Sequence, residues 1–351
     1  MARKTAKRDG RVPTFRKCSA ILPTESPQTP LGFSARMPKK QTDAVQHLHI
    51  SNTDLTALAV LTLGIVGIAW APIFFRLSEA GPVATAFWRV TLAVPLLYAW
   101  WRLDSARPGR GERQPSTWRD RMQLVAAGAF FAGDLAFWHW SLTWTTVANA
   151  TLFANAAPLF VTLAGWLLLG QRFRPLFLAG LAVAVVGAGI LMGASVRLGP
   201  DHLVGDLLGL VTAMFLAGYL LVVERLRTRF TTATIMLWSA LSGTVPLLLL
   251  AILAGDKLLP ESWYGWAVLL GLAAVSHAGG QSLIAQAMAR LPAAFTAVSL
   301  LLQPVLAALF AWAVLAEPVL AQQALGGLVI LGGIVLARRG SRKVADAERE
   351  S

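Results

Sequence analysis

Four ionisable side chains stand inside apolar stretches of this chain: Arg89, Asp134, His139 and His277. A charge or an imidazole at hydrocarbon depth is costly to insert, so such residues mark pairing, binding or proton transfer. Arg89 and Asp134 carry opposite charge, and helix rise puts them about 9 Å and about 12 Å from the same membrane face, where they can meet. Two roles fit. They form an ion pair that lets both helices insert, or Arg89 anchors a carboxylate or phosphate. In the second case Asp134 competes for Arg89 and exchanges a proton as the anion comes and goes, because burial opposes its charge and the guanidinium favours it. His277 and Gln281 lie one turn apart on one face. They either hydrogen-bond a polar ligand opposite Asp134 or complete an interhelical hydrogen bond. His139 is nearer the surface among Trp138, Trp140 and Trp144, which read as an interfacial belt or as part of a ligand cage.

Two prolines add backbone chemistry. Pro158 and Pro304 each remove a donor inside an apolar run and displace the carbonyls of Ala154 and Leu300 one turn earlier. Freed carbonyls at that depth must face protein or a water-filled cavity. Asn155 and Gln303 stand beside these breaks and line such a cavity if one exists; otherwise each proline is a packing kink.

The elements that hold these residues are membrane spans. The chain is 56% hydrophobic and 14% charged, against about 25% charged in ordinary soluble domains. Its mean hydropathy is +0.58. Ten apolar runs near the ~20 residues that cross a bilayer occur at roughly 55–75, 83–101, 122–142, 147–170, 176–193, 205–223, 233–254, 264–286, 292–315 and 320–337. Segments 102–122, 171–175, 224–232, 287–291 and the tail after 337 hold 17 Lys or Arg, whereas the alternate segments hold only Arg76, Arg197 and Lys257. Basic residues stay cytoplasmic, so both termini are expected inside. This placement also explains the net charge of +13 without nucleic acid. Residues 1–53 form a basic, Pro- and Ser-rich tail that reads as disordered, as a transit segment, or as an extension upstream of Met37. The lone cysteine, Cys18, lies there, which excludes internal disulfides and cysteine metal sites.

The chain also repeats itself. Pro158, Leu163, Trp166, Leu169, Gly180 and Gly187 recur 146 residues later as Pro304, Leu309, Trp312, Leu315, Gly326 and Gly333. Val94-Pro95-Leu96-Leu97 and Gly67 recur at an offset of 151 as Val245-Pro246-Leu247-Leu248 and Gly218. Gln171 falls opposite Glu317. The repeat unit is therefore five spans, and an odd unit inverts the second copy relative to the first. The expected fold is an all-α integral membrane protein of ten transmembrane helices in two inverted five-helix repeats, 54–194 and 204–338, with a cytoplasmic tail at 339–351. Gly205, Gly209, Ala213 and Ala217 form a small-residue stripe that suits a compact bundle or a homodimer.

The stretch Thr145-Thr-Val-Ala-Asn-Ala-Thr-Leu-Phe-Ala-Asn-Ala-Ala-Pro158-Leu-Phe resembles the third-to-fourth-span signature of the drug/metabolite transporter superfamily. Trp166-Leu-Leu-Leu-Gly-Gln171-Arg-Phe is similar to that family's Leu-Gly-Glu-Arg ending, and Pro304 through Leu315-Ala316-Glu317-Pro318 to its second copy. The likeness to two EamA-type halves covers about residues 55–337. Gln171 stands where the family has Glu, and Ala316 where it has Gly. The resemblance implies alternating-access movement of small metabolites, with proton exchange, at the inner (plasma) membrane. The superfamily handles amino acids, nucleotide precursors, sugar-linked compounds and drugs, so the resemblance leaves the substrate open.

The residues themselves point the same way. No Gly-rich nucleotide loop supports ATP-driven transport, and scattered ionisable groups do not make an enzyme's nucleophile constellation. No cofactor or metal is expected. A small-molecule substrate, protons and lipid are the expected partners. The rival reading is a lipid carrier or scramblase, which a bundle with a polar groove would also serve; an intramembrane enzyme is the third.

Overall fold

The computed structural model describes residues 52–106, 115–193, 199–316 and 320–349. The N-terminal tail with Cys18 and Met37, and Arg197, Glu317 and Pro318, lie outside the described residues. Within them the chain is helical, without strands.

Proline divides the early spans. The first comprises α1 (Asn52–Ala69) and α2 (Ala71–Leu77), parted at Trp70 with Pro72 in the first turn of α2. The second comprises α3 (Pro82–Thr91) and α4 (Ala93–Ser105), parted at Leu92 with Pro95 just beyond. Next comes α5 (Trp118–Ser141), started by a capping box in which Thr117 and Asp120 satisfy each other's backbone donors. Helices α6 (Val147–Ala154) and α7 (Ala157–Leu169) flank the break before Pro158, and α8 (Pro175–Met192) follows. The second half continues with α9 (Leu203–Arg227) and α10 (Thr232–Leu253). Then α11 (Trp263–Gly271) and α12 (Ser282–Ala287) flank a π-helical stretch, Leu272–Gln281. Finally α13 (Ala293–Leu300) and α14 (Leu302–Leu315) part at Leu301, and α15 (Ala321–Arg349) continues past the expected end of its span.

Nine of these segments are long and apolar enough to cross a membrane. The segment that falls short is α5, which has 24 residues but carries Arg119, Asp120, Arg121, Asp134 and His139. Those charges lower its hydropathy without shortening it.

The repeated glycines explain how the last helix of each half meets the other. Helices α8 and α15 lie against each other along their lengths. A Cβ built on Gly180 would sit 2.2 Å from Ala337 N, one on Gly187 2.7 Å from Ile330 N, and one on Gly333 2.5 Å from Ala184 N. Backbones this close need glycine on both sides, and a seven-residue spacing keeps the glycines on one face. The Gly205–Ala217 stripe is used inside the bundle: Gly205 faces Thr145 and Gly209 faces Ala150 and Phe153.

Gly170 and Ala316 occupy matching positions at the ends of α7 and α14, both left-handed, with φ 64° and 55°. Glycine takes this cap without a Cβ penalty. At Ala316 the cap persists with a Cβ, the one positive-φ residue other than glycine among the described residues.

Candidate functional site

Helix α3 is fixed from above by the loop after α10. Asp256 accepts a hydrogen bond from Ala84 N (2.9 Å), Gly81 N donates to Lys257 O (2.9 Å), and Trp88 Nε1 donates to Leu258 O (2.6 Å). These bonds set the position of Arg89 on the next turn. Its guanidinium carbon lies 5.8 Å from the centre of the Phe131 ring of α5, a cation–π arrangement. Its Nε is buried without a partner.

Phe131 is the hub of the site. Its ring centre lies 5.1 Å from that of His277 and 5.2 Å from that of Tyr219 on α9. Asp134 and Trp138 follow Phe131 by one and two turns along the same face of α5. Asp134 lies within electrostatic reach of Arg89 and Tyr219. Arg89 and Asp134 nevertheless form no direct ion pair among the described residues. The two opposite charges thus interact at a distance, without direct contact.

The π-helical stretch carries His277 and Gln281 into the bundle. Such segments misalign the backbone ladder and recur at functional sites. Gly280 within it packs on the backbone of α1, 2.7 Å from Ile68 N for an added Cβ, and Ser276 Oγ donates to Gly67 O (3.0 Å). The Gln281 side chain interacts with the Tyr219 hydroxyl, which also donates to Met236 Sδ (3.7 Å). His277 is fully buried, and neither ring nitrogen has a partner.

His139 is engaged otherwise: its Nδ1 lies 2.6 Å from Leu135 O, and its ring packs edge-on against Phe75 and Trp138. Trp140 and Trp144 are half exposed, whereas the Trp138 ring packs on Phe75 at 5.8 Å. The two proline breaks fall at Asn155–Ala156 and at Leu301, two to three residues before Pro158 and Pro304. Asn155 is half buried with an unpartnered Nδ2, and Gln303 is half buried in the first turn of α14. No hydrogen bond among the described residues joins either to the Arg89–Phe131–His277 cluster.

Sequence reading missed Phe131 and Tyr219, since an aromatic residue in an apolar helix carries no local signal. It also missed two carboxylates on α9. Asp206 accepts from Thr145 Oγ1 (2.8 Å) and Asn149 Nδ2 (2.9 Å), at the start of α6. Glu224 accepts from Ala293 N (2.8 Å), at the start of α13, and from the Gln171 side chain. The two lie 18 residues apart on α9, about 27 Å along the helix. One helix thus holds the starting ends of the spans broken before Pro158 and Pro304.

Residues 52–193 and 203–339 each match the EamA-like transporter family. The pseudopaline exporter CntI of Pseudomonas aeruginosa, in strains UCBPP-PA14 and PAO1, is 27% identical over 216 residues, 61% of this chain and 74% of that protein. A solved crystal structure of a protein superposes with a TM-score of 0.69 at 21% identity, covering 80% of this chain and 96% of that one, a likeness of fold.

Proposed function

The chain belongs to the EamA-like transporter family, and from that premise we propose that it is a secondary-active exporter of a small polar metabolite, amino acid or drug, working by alternating access with proton coupling at Asp134. The observation that carries this reading is that Arg89, set over the Phe131 ring, and Asp134 lie within electrostatic reach of each other without a direct ion pair. A guanidinium and a carboxylate together are neutral, so the empty site buries no net charge. A substrate carboxylate on Arg89 takes away the partner that keeps Asp134 ionised. Asp134 then takes up a proton, and the loaded site stays near neutrality. His277, with both nitrogens free, supplies a hydrogen bond to a further polar group of the substrate.

In this reading α5 is a tenth span, and the protein is two inverted five-helix halves, 54–194 and 204–338, in the inner membrane with both termini cytoplasmic. The matched glycines of α8 and α15 support the repeat. Asp206 and Glu224 would then hold opposite ends of the bundle, and access would alternate by releasing one while the other stays closed. Family membership favours transport over catalysis.

The test is flux in proteoliposomes with and without an imposed pH gradient. Wild type moves a carboxylate-bearing substrate and responds to the gradient, and Asp134→Asn moves it without that response. An unaltered proton dependence in Asp134→Asn would sink the coupling role. Lipid movement without flux of any small polar metabolite would favour the lipid-carrier reading instead.

A further inference from the structure

A groove of about 570 Å³ opens on the outer surface of the bundle between α7 and α8, away from the Arg89 cluster. Its walls are Leu159, Leu163, Trp166 and Leu178, each between 43% and 59% exposed, and its floor is the buried Leu181. The hydroxyl of Thr162, the polar group deep inside, is already spent on Pro158 O at 2.7 Å. Beyond the mouth the groove is therefore hydrocarbon. At the mouth stands Arg172, exposed and without a hydrogen bond or ion pair among the described residues. Its neighbour Arg174 is already engaged.

We propose that this groove binds one acyl chain of an anionic phospholipid whose phosphate pairs with Arg172. The groove runs from Arg172 toward Leu159, and the helical part from Trp166 to Leu159 alone covers about 10 Å along α7. One cation at one end and unbroken hydrocarbon beyond it is the polarity of an anionic amphiphile. Both walls belong to candidate spans, Asn149–Leu169 and Pro175–Met192, so the groove opens to acyl chains. A neighbouring protein helix would offer Arg172 no anion in hydrocarbon. With the orientation proposed above, Arg172 lies at the cytoplasmic leaflet, where anionic lipid is concentrated. At the matching position of the second half, 146 residues on, stands Pro318 rather than a basic residue, so the asymmetry predicts one such site per chain.

Trp166 in the wall is a built-in reporter. The full chain is reconstituted in phosphatidylcholine vesicles in which a fixed fraction of either phosphatidylglycerol or phosphatidylcholine carries dibrominated acyl chains. Quenching assigned to Trp166 is the difference between wild type and Trp166→Phe. The expected result is about fivefold stronger apparent association for the brominated anionic lipid, the ratio for a pairing of about 1 kcal/mol. Arg172→Gln should lose the preference, Arg172→Lys should keep it, and added salt should weaken it. Equal quenching by both lipids in wild type means an ordinary lipid annulus and overturns the proposal. An anionic preference retained by Arg172→Gln does the same. Quenching by neither lipid, with Trp166 still emitting, means that protein fills the groove and also overturns it.

Discussion

Gly180 and Gly189 lie on one helix, α8, nine residues apart and hence on opposite faces. Each is replaced by alanine. A Cβ on Gly180 would stand 2.2 Å from Ala337 N and 2.7 Å from both Ala337 Cα and Gly333 O, whereas one on Gly189 meets nothing within 4 Å. Ordinary carbon contacts need about 3.5 Å, so α8 and α15 would have to part by about 1.3 Å locally. The obstructing atoms are backbone, which no rotamer change can relieve. Overpacking of this kind costs about 1–3 kcal/mol, and backbone against backbone belongs at the upper end. Alanine also favours helix over glycine by up to about 1 kcal/mol, and Gly189→Ala collects that gain without a clash. The two substitutions should therefore move stability in opposite directions. At about 2 °C per kcal/mol for a chain of this size, Gly180→Ala should melt about 4 °C below wild type and Gly189→Ala at or slightly above it. The assay is intrinsic tryptophan fluorescence of detergent-solubilised protein, all variants scanned at one rate because membrane proteins rarely unfold reversibly. If Gly180→Ala melts with Gly189→Ala, the glycine contact between α8 and α15 is not what holds the two helices together.

Ala316→Gly should stabilise the protein by about 1 kcal/mol, read as a higher melting temperature, because it removes the Cβ from a left-handed cap at φ 55°. Gln171→Glu should slow transport at neutral pH and recover as pH falls, since two carboxylates would then face each other where the Gln171 side chain now bonds Glu224; equal flux across pH would refute that contact. Glu79, between the first two spans, accepts from Ser262 Oγ (2.5 Å), Ser262 N (3.0 Å) and Glu261 N (2.8 Å) at the start of α11. The Ser262 hydroxyl foremost, then these amides and nearby Lys257, hold its carboxyl below the usual range. Its folded pKa is depressed, so the stabilisation is present above the unfolded value and is lost as pH falls through the folded one. Melting temperature should drop on the acid side more steeply in wild type than in Glu79→Gln, and parallel curves would count against the clamp. Tyr219→Phe should cost about 1–3 kcal/mol by leaving buried Gln281 without its partner, again read as melting temperature.

Much of this protein can be read from the chain. Length and apolarity of the runs and the register of Pro158 with Pro304 are local properties, and they survive into the folded molecule because each segment carries them by itself. The resemblance carried by residues 145–173 and 304–318 and the family match rest on that layer. Even the departures at Gln171 and Ala316 are visible there, although their meaning is not: one turns out to face Glu224, the other to bear a Cβ in a left-handed cap. The candidate site was legible only in part. Arg89, Asp134 and His277 stand out because charge or imidazole in hydrocarbon is costly. Phe131 and Tyr219 do not, because an aromatic ring suits any apolar helix until its neighbours are known. Packing across helices distinguishes Gln281, paired with Tyr219, from His277 in the same π-helical stretch, left with two free nitrogens. It also makes Asp206 and Glu224 the holders of two spans whose starts lie 57 and 69 residues away along the chain. Hydropathy is a property of each residue alone, whereas a hydrogen bond or a ring contact belongs to a pair, and only folding chooses the pairs.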